Sequence, residues 1–101
     1  MASELQFCWD DRKNKQNQRK HGVSFEAATL VFSDPFHITA QDREVDGEPR
    51  WQTIGMVGNL QLLLVAHAEH ETQNEVILRI ISARKATRSE RRIYAGQIEN
   101  R

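Results

Sequence analysis

Cationic side chains cluster in residues 79–94, which read RIISARKATRSERRIY and contain six Lys and Arg. Arg79 lies inside an apolar strand-like run, where an arginine is costly to bury unless it is paired or faces a binding site. Arg84 and Lys85 follow at a strand-to-helix corner, and Arg88 lies in the first turn of the predicted helix. Cations at a helix N-terminus oppose the helix dipole, and a bound anion relieves that conflict. The cluster is therefore either a solvated, partly salt-bridged helix surface, which composition alone favours, or a phosphate site.

Proton transfer near these arginines would require a histidine or a carboxylate. His67 ends the apolar run LQLLLVAHA, and strand alternation predicts that it lies near Arg79 on the neighbouring strand. A structural role is commoner for a single histidine, so a catalytic His67 is a hypothesis. His70, Glu69 and Glu71 follow in a polar segment and are further candidates. No histidine pair has the helical spacing of a zinc site, so no metal is expected.

The sequence has no P-loop, no dinucleotide-binding glycine pattern and no nucleophile elbow, and Cys8 is its single cysteine. These absences leave reactions that need only positioned charges and proton transfer, and no cofactor is expected. RNA cleavage without a metal ion is one such reaction, because the neighbouring 2′-hydroxyl supplies the nucleophile. Cys8, between two aromatic residues, is expected to be a small buried hydrophobic side chain.

Hydrophobic periodicity predicts helices and strands in the order β-α-α-β-β-β-β-α. The first predicted helix, DRKNKQNQRK, has no apolar residue and is either a solvated helix held at its ends or an irregular connection. Ser24 is a good N-cap for the second helix, which ends before Pro35. Thr87 and Glu90 form a capping-box pattern that opens the last helix.

Short connections between the last four strands, including a tight turn at Gly58-Asn59, imply an antiparallel sheet. The expected fold is α+β, with a small antiparallel sheet, two N-terminal helices and one C-terminal helix, and with the helices on one side. A length of 101 residues suits a single domain over residues 1–101.

The formal net charge of zero conceals an uneven distribution. Residues 1–22, 23–78 and 79–101 carry net charges of +2, −7 and +5. If the polar first helix lies beside Arg79 and Arg84, the two cationic ends form one groove of a width that suits RNA. No apolar stretch is long enough to span a bilayer, and the chain is expected to be cytoplasmic.

Three segments resemble the BrnT family of type II toxins, whose fold is similar to that of RelE-type ribonucleases. They are FCWDDRKNKQNQRKHGVSFEAATLVFSDP, GEPRWQTIG and RIISARKATRSERRIY, and the resemblance runs from about residue 7 to residue 94. It implies a cytoplasmic toxin that cleaves RNA and so inhibits translation. It also implies a BrnA-like antitoxin with a ribbon-helix-helix part, which joins the toxin in a 2:2 complex and through which alone operator DNA is bound.

The resemblance marks the polar positions Lys20, His21, Arg50, Arg79 and Arg84. From charge and strand position, we expect Arg79 and Arg84 to contact the scissile phosphate, assisted by Arg50, while Lys20 binds a flanking phosphate.

The remaining site assignments complete this expectation. His67 transfers protons, and the flanking cations His21, Lys85 and Arg88 contact RNA. Relatives often carry an arginine near the position of His70. If His70 replaces that arginine in this chain, phosphate binding at this position becomes pH-dependent.

Two other functions would use the same arginines. A non-catalytic module would bind RNA or the ribosome without cutting, and a degenerate toxin would use the cluster only to dock a protein partner.

Overall fold

The computed structural model describes residues 4–58 and 61–99. Five strands and three α-helices follow one another in the predicted order, and a 3₁₀ helix follows the second α-helix. They are β1 (Glu4–Cys8), α1 (Asp11–His21), α2 (Phe25–Thr29), the 3₁₀ helix (Leu30–Ser33), β2 (Ile38–Val45), β3 (Glu48–Val57), β4 (Gln61–Glu71), β5 (Glu75–Lys85) and α3 (Arg88–Glu99).

The strands form one sheet in the order β1-β5-β4-β3-β2. β2 to β5 pair antiparallel, whereas β1 pairs parallel to β5 along Glu75 to Arg79. The α+β class and the antiparallel character of the sheet are confirmed. The parallel pairing of β1 was not predicted, since β1 and β5 lie far apart in the sequence.

The strands are longer than the sequence pattern predicts. A two-residue turn, Asp46-Gly47, joins β2 to β3, and both residues have positive φ, 50° and 80°. Such turns match the twist of an antiparallel pair, so the ladder continues to the turn. As a result, Glu48 and Arg50 lie on a strand rather than in the predicted polar loop. The predicted turn residue Asn59 lies outside the described residues.

Both faces of the sheet are covered. Leu63 and Val65 of β4 pack under α2 and the 3₁₀ helix, and we call this side the first face. Leu62 and Leu64 point to the second face, where they form a cluster with Tyr94 of α3. The prediction that all helices lie on one side is therefore wrong, because β4 is apolar on both of its alternating faces.

The helix α1 is held to the body of the molecule by two buried asparagines. The Asn14 Oδ1 accepts from the backbone N–H of Phe25 at 2.8 Å. The Asn17 Nδ2 donates to the carbonyl oxygens of Val23 and Ala83, each at 2.8 Å, and its Oδ1 accepts from the Ala83 N–H at 3.2 Å. An all-polar helix is thus anchored by hydrogen bonds instead of an apolar stripe.

The helix ends follow the predicted chemistry. The Ser24 hydroxyl accepts from the N–H of Ala27, and Thr87 and Glu90 make the reciprocal bonds of a capping box. The Tyr94 hydroxyl donates to Asp34, which joins α3 to the end of the 3₁₀ helix. Burial and this hydrogen bond raise the pKa of Tyr94 to about 12.

Gly55 on β3 allows the 3₁₀ helix to approach the sheet. A Cβ at this position would lie 2.8 Å from both the Cβ and the carbonyl oxygen of Val31. Within residues 4–58 and 61–99, no helix combines the length and the apolar composition that crossing a membrane requires.

Candidate functional site

A β-bulge in β5 places Arg79 and Arg84 on the same face of the sheet. Residues five positions apart point to opposite faces of a regular strand. Here Arg84 lies opposite Leu64 and Arg79 opposite Ala68, because the register shifts by one residue between Ala66 and His67. The extra residue is Ile81 of β5. Both arginines therefore lie on the second face, the face that α3 covers in part.

The guanidinium group of Arg79 is paired with the carboxylate of Glu48. The Arg79 Nη1 and Nη2 donate to Glu48 Oε2 and Oε1 at 3.1 and 2.6 Å. The Arg50 Nη2 lies 3.3 Å from the same Oε1. The hydrogen bond from Arg79 lowers the pKa of Glu48, so this carboxylate is ionised between two cations. The predicted neighbours Arg79 and Arg50 are thus brought together, through an acid that the sequence reasoning did not single out.

A cavity of about 250 Å³ opens beside this ion pair. It is lined by Cys8, Glu48, Ala68, Glu69, His70, Ile77 and Arg79. We call it the Arg79 pocket. Burial and the nearby Glu71 raise the pKa of Glu69. The cavity thus brings together a guanidinium group, an imidazole and the Glu48 carboxylate, which are groups that phosphate binding and proton transfer require. The Glu69 carboxylate lies 3.9 Å from His67 Nδ1, on the first face.

Cys8 lies at the rim of the Arg79 pocket and is exposed. The prediction of a buried Cys8 is wrong, because β1 is an edge strand and its pairing with Arg79 turns Cys8 to the second face.

His67 lies in the core instead of beside Arg79. It is fully buried, its Nε2 is 2.8 Å from the Thr53 hydroxyl, and its ring contacts Phe32 edge-on at 5.1 Å between centroids. Burial lowers its pKa to about 4, so the imidazole is neutral near pH 7. Its partner on β5 is Ile80, and Arg79 points to the other face. The predicted proximity to Arg79 is therefore wrong, since it assumed a ladder without the bulge.

Arg84 has a carboxylate partner of its own. Its two terminal nitrogens donate to the two oxygens of Glu90 at 2.8 and 2.9 Å. These bonds lower the pKa of Glu90 to about 2. Because Glu90 also belongs to the capping box, Arg84 fixes the start of α3 against the end of β5. The contacts of Arg84 therefore match the interpretation of the cationic cluster as a salt-bridged helix surface.

The remaining predicted contacts lie on or near α1 and α3. Lys20 and His21 line a second cavity, of about 290 Å³, between α1 and β5. Lys85, at the end of β5, and Arg88, at the start of α3, are exposed and line neither cavity. The part of the chain that the structure describes contains no group of His, Cys, Asp or Glu arranged to hold a metal ion.

Two functional features escaped the sequence reasoning. Glu48 was assigned to a loop. If Asp46-Gly47 is a two-residue hairpin turn, the strand starts at Glu48, and Glu48 and Arg50, two positions apart, lie on one face of it. Ile81 gives no local sign of a bulge, because its neighbours are ordinary strand residues.

A larger open depression of about 520 Å³ lies between the 3₁₀ helix, the end of β3 and α3. Leu30, Phe36, Met56 and Tyr94 contribute to its lining, which includes no Lys or Arg. It therefore does not suit a phosphate.

Comparison with known proteins gives a match over most of the chain. Residues 9–90 match the family model described as "Ribonuclease toxin, BrnT, of type II toxin-antitoxin system". The crystal structure of the Brucella abortus ribonuclease toxin BrnT superposes with a TM-score of 0.56 at 23% identity, covering 85% of this chain and 100% of that one. At that identity the superposition shows a shared fold. No curated protein sequence matches this chain.

Proposed function

The chain belongs to the BrnT family of ribonuclease toxins of type II toxin–antitoxin systems, and from this we propose that it is an endoribonuclease that works without a metal ion. The observation that carries the proposal beyond the family is the Arg79 pocket, where Arg79 and His70 line one cavity. A phosphodiester in this pocket would take the place of Glu48 as the partner of Arg79 and Arg50.

The proposed reaction uses the substrate's own hydroxyl. The 2′-oxygen attacks the adjacent phosphorus as its proton leaves to a base, and the bond from phosphorus to the 5′-oxygen breaks. The 5′-oxygen takes up a proton, so the products are a 2′,3′-cyclic phosphate and a 5′-hydroxyl. Arg79 and Arg50 stabilise the extra negative charge on the phosphate oxygens in the transition state. His70, which lines the pocket, replaces the buried His67 as the proposed proton-transfer group.

Other residues take supporting roles in this proposal. Arg84 shares the second face with Arg79 and would contact RNA on exchanging its partner Glu90. Lys20, His21, Lys85 and Arg88 contact flanking phosphates.

We further propose that the chain acts as one domain in the cytoplasm and inhibits translation by cutting RNA. Its neutralising partner would be a BrnA-like ribbon-helix-helix antitoxin in a 2:2 complex, which alone contacts operator DNA. Family membership supports an antitoxin partner of some kind.

One observation favours a second candidate function. Arg79 and Arg84 are each bound by a carboxylate through two hydrogen bonds in the free chain. A surface that holds carboxylates in this way is suited to an acidic protein segment. A chain that serves only as an antitoxin partner would use it for docking.

Induction of the chain alone in a bacterial host tests the proposal. We expect growth arrest and fragmented total RNA for the wild type. Arg79→Ala should lower the cleavage rate of purified protein by at least about 100-fold, the usual cost of losing a donor to transition-state charge. Arg43→Ala, an exposed arginine on β2, is the matched control and should cleave like the wild type.

Circular dichroism of each variant separates loss of chemistry from loss of fold. Intact RNA with folded wild-type protein, together with binding to the antitoxin, would move the function to the docking alternative.

A further inference from the structure

We propose that the cavity between α1 and β5 is a second phosphate subsite, which binds the single-stranded RNA backbone beside the scissile position. We call it the α1 cavity. This inference rests on the proposed ribonuclease function and adds to it a binding site with its own residues.

The lining of the α1 cavity suits an anion. It consists of Lys13, Gln16, Asn17, Lys20, His21, Ile81 and Ser82. Two ammonium groups, an imidazole, the amide of Gln16 and a hydroxyl belong to these residues, and no carboxylate is among them. The Asn17 amide instead donates to the carbonyl oxygens of Val23 and Ala83. The Arg79 pocket differs, because Glu48 and Glu69 contribute to its wall. A phosphate in the α1 cavity would have no internal carboxylate to displace.

Helix geometry places Lys13 and Lys20 on the side of α1 that lines the cavity, where both residues are exposed. Lys13, Asn17 and Lys20 are separated by four and three residues and therefore share one face of the helix. Asn17 is buried and is bonded to Ala83 of β5, which fixes this face against the strand. Lys13 and Lys20 therefore flank the anchoring residue Asn17 along the cavity.

Ser82 lines the α1 cavity and lies on the same face of the sheet as Arg79. It lies opposite Ala66 on β4, so the bulge at Ile81 puts it on the second face together with Arg79. Ser82 is three positions along β5 from Arg79, at most about 10 Å at the usual rise per residue. An RNA strand held by Arg79 would thus reach the α1 cavity with its neighbouring phosphates, and substrate length should matter.

The test measures affinity with an RNA that the protein cannot cut. A 2′-O-methyl oligonucleotide of eight nucleotides lacks the nucleophile, and its dissociation constant is measured between about 50 and 200 mM salt. The double variant Lys13→Gln/Lys20→Gln should bind about tenfold or more weakly, with a salt slope reduced by about 1 to 2. A dinucleotide of the same chemistry, which fills only the Arg79 pocket, should bind both proteins alike.

The matched control is Arg12→Gln/Lys15→Gln. It removes two charges from the same helix at exposed positions outside the cavity. Ser82→Ala provides an uncharged probe, which should weaken binding without changing the salt slope.

Equal losses in the two double variants would overturn the subsite, since they would show only a general cationic field. Wild-type affinity in the Lys13/Lys20 variant would overturn it as well. If the wild type cleaves RNA in either case, the proposed function stands and only the subsite falls. A wild type that neither binds nor cleaves RNA overturns both.

Discussion

Glu48 decides how the cationic groups of the Arg79 pocket meet a ligand. Its carboxylate accepts two hydrogen bonds from Arg79 and lies 3.3 Å from the Arg50 Nη2, so a ligand of Arg79 would have to displace it. Phosphate offers two oxygens for the same bidentate contact, which makes the exchange chemically reasonable. Under the proposed function, a phosphate would take the place that Glu48 has in the free protein.

Replacing Glu48 by Gln should strengthen RNA binding. The variant removes one negative charge and frees both arginines, so the dissociation constant for uncleavable RNA should fall about threefold to tenfold. Glu44→Gln, at an exposed position on β2, removes the same charge elsewhere and should change the affinity far less. Weaker binding by Glu48→Gln would instead show that the carboxylate is needed to hold Arg79 in position.

Individual residues of the site could be predicted only in part. Arg79 was identified because an arginine inside an apolar strand needs a partner, and the structure supplies one. His67 was misplaced because side-chain direction along a strand depends on every residue in the ladder. The single extra residue, Ile81, reverses which side chains of β5 point to each face of the sheet. A bulge arises from pairing between strands, which local sequence does not record.

Among the elements, α1 has an unusual means of attachment. The amide of Asn17 makes three hydrogen bonds to backbone groups of Val23 and Ala83. Without it, these backbone groups would need a neighbouring strand or water as a partner. Its loss leaves buried backbone groups of Val23 and Ala83 without partners, which costs more than the bonds themselves are worth.

Asn17→Ala should therefore lower the free energy of unfolding by about 2 to 4 kcal/mol. Gln16→Ala, the neighbouring amide at an exposed position, should change it by less than about 0.5 kcal/mol. Urea denaturation followed by circular dichroism gives both values. Similar small losses in the two variants would mean that α1 is held by something other than this amide.

Local signals predicted the helices and turns well, and long-range pairing poorly. The Ser24 cap, the Thr87–Glu90 capping box and the order of elements follow from short sequence patterns. The parallel position of β1 and the placement of α3 on the second face depend on which strands meet, and nearby residues carry no information about that.

Across the whole molecule, the buried His67 couples stability to pH. An unfolded histidine has a pKa near 6.5, whereas burial lowers the native value to about 4. Between these values the unfolded chain binds a proton that the native protein does not, so stability falls as the pH falls. Above pH 6.5 this contribution is constant.

Unfolding free energies at pH 7 and pH 4.5 should therefore differ by up to about 3 kcal/mol more in the wild type than in His67→Gln. Glutamine retains a hydrogen-bonding group for Thr53 and does not titrate. Glu90, with a pKa lowered to about 2, contributes stability that is lost only between about pH 4.5 and 2. Equal pH dependence in the two proteins would place the acid sensitivity outside His67.

The contact between Asn17 and Ala83 also guards against self-association. Among the described residues, β1 covers β5 from Glu75 to Arg79, and beyond that point the Asn17 amide occupies the backbone donor and acceptor of Ala83. An uncovered strand edge is a template for a strand of another molecule. A chain whose α1 has come away would expose such an edge while its core is still packed. The polar helix thus protects solubility as well as shaping the cavity beside it.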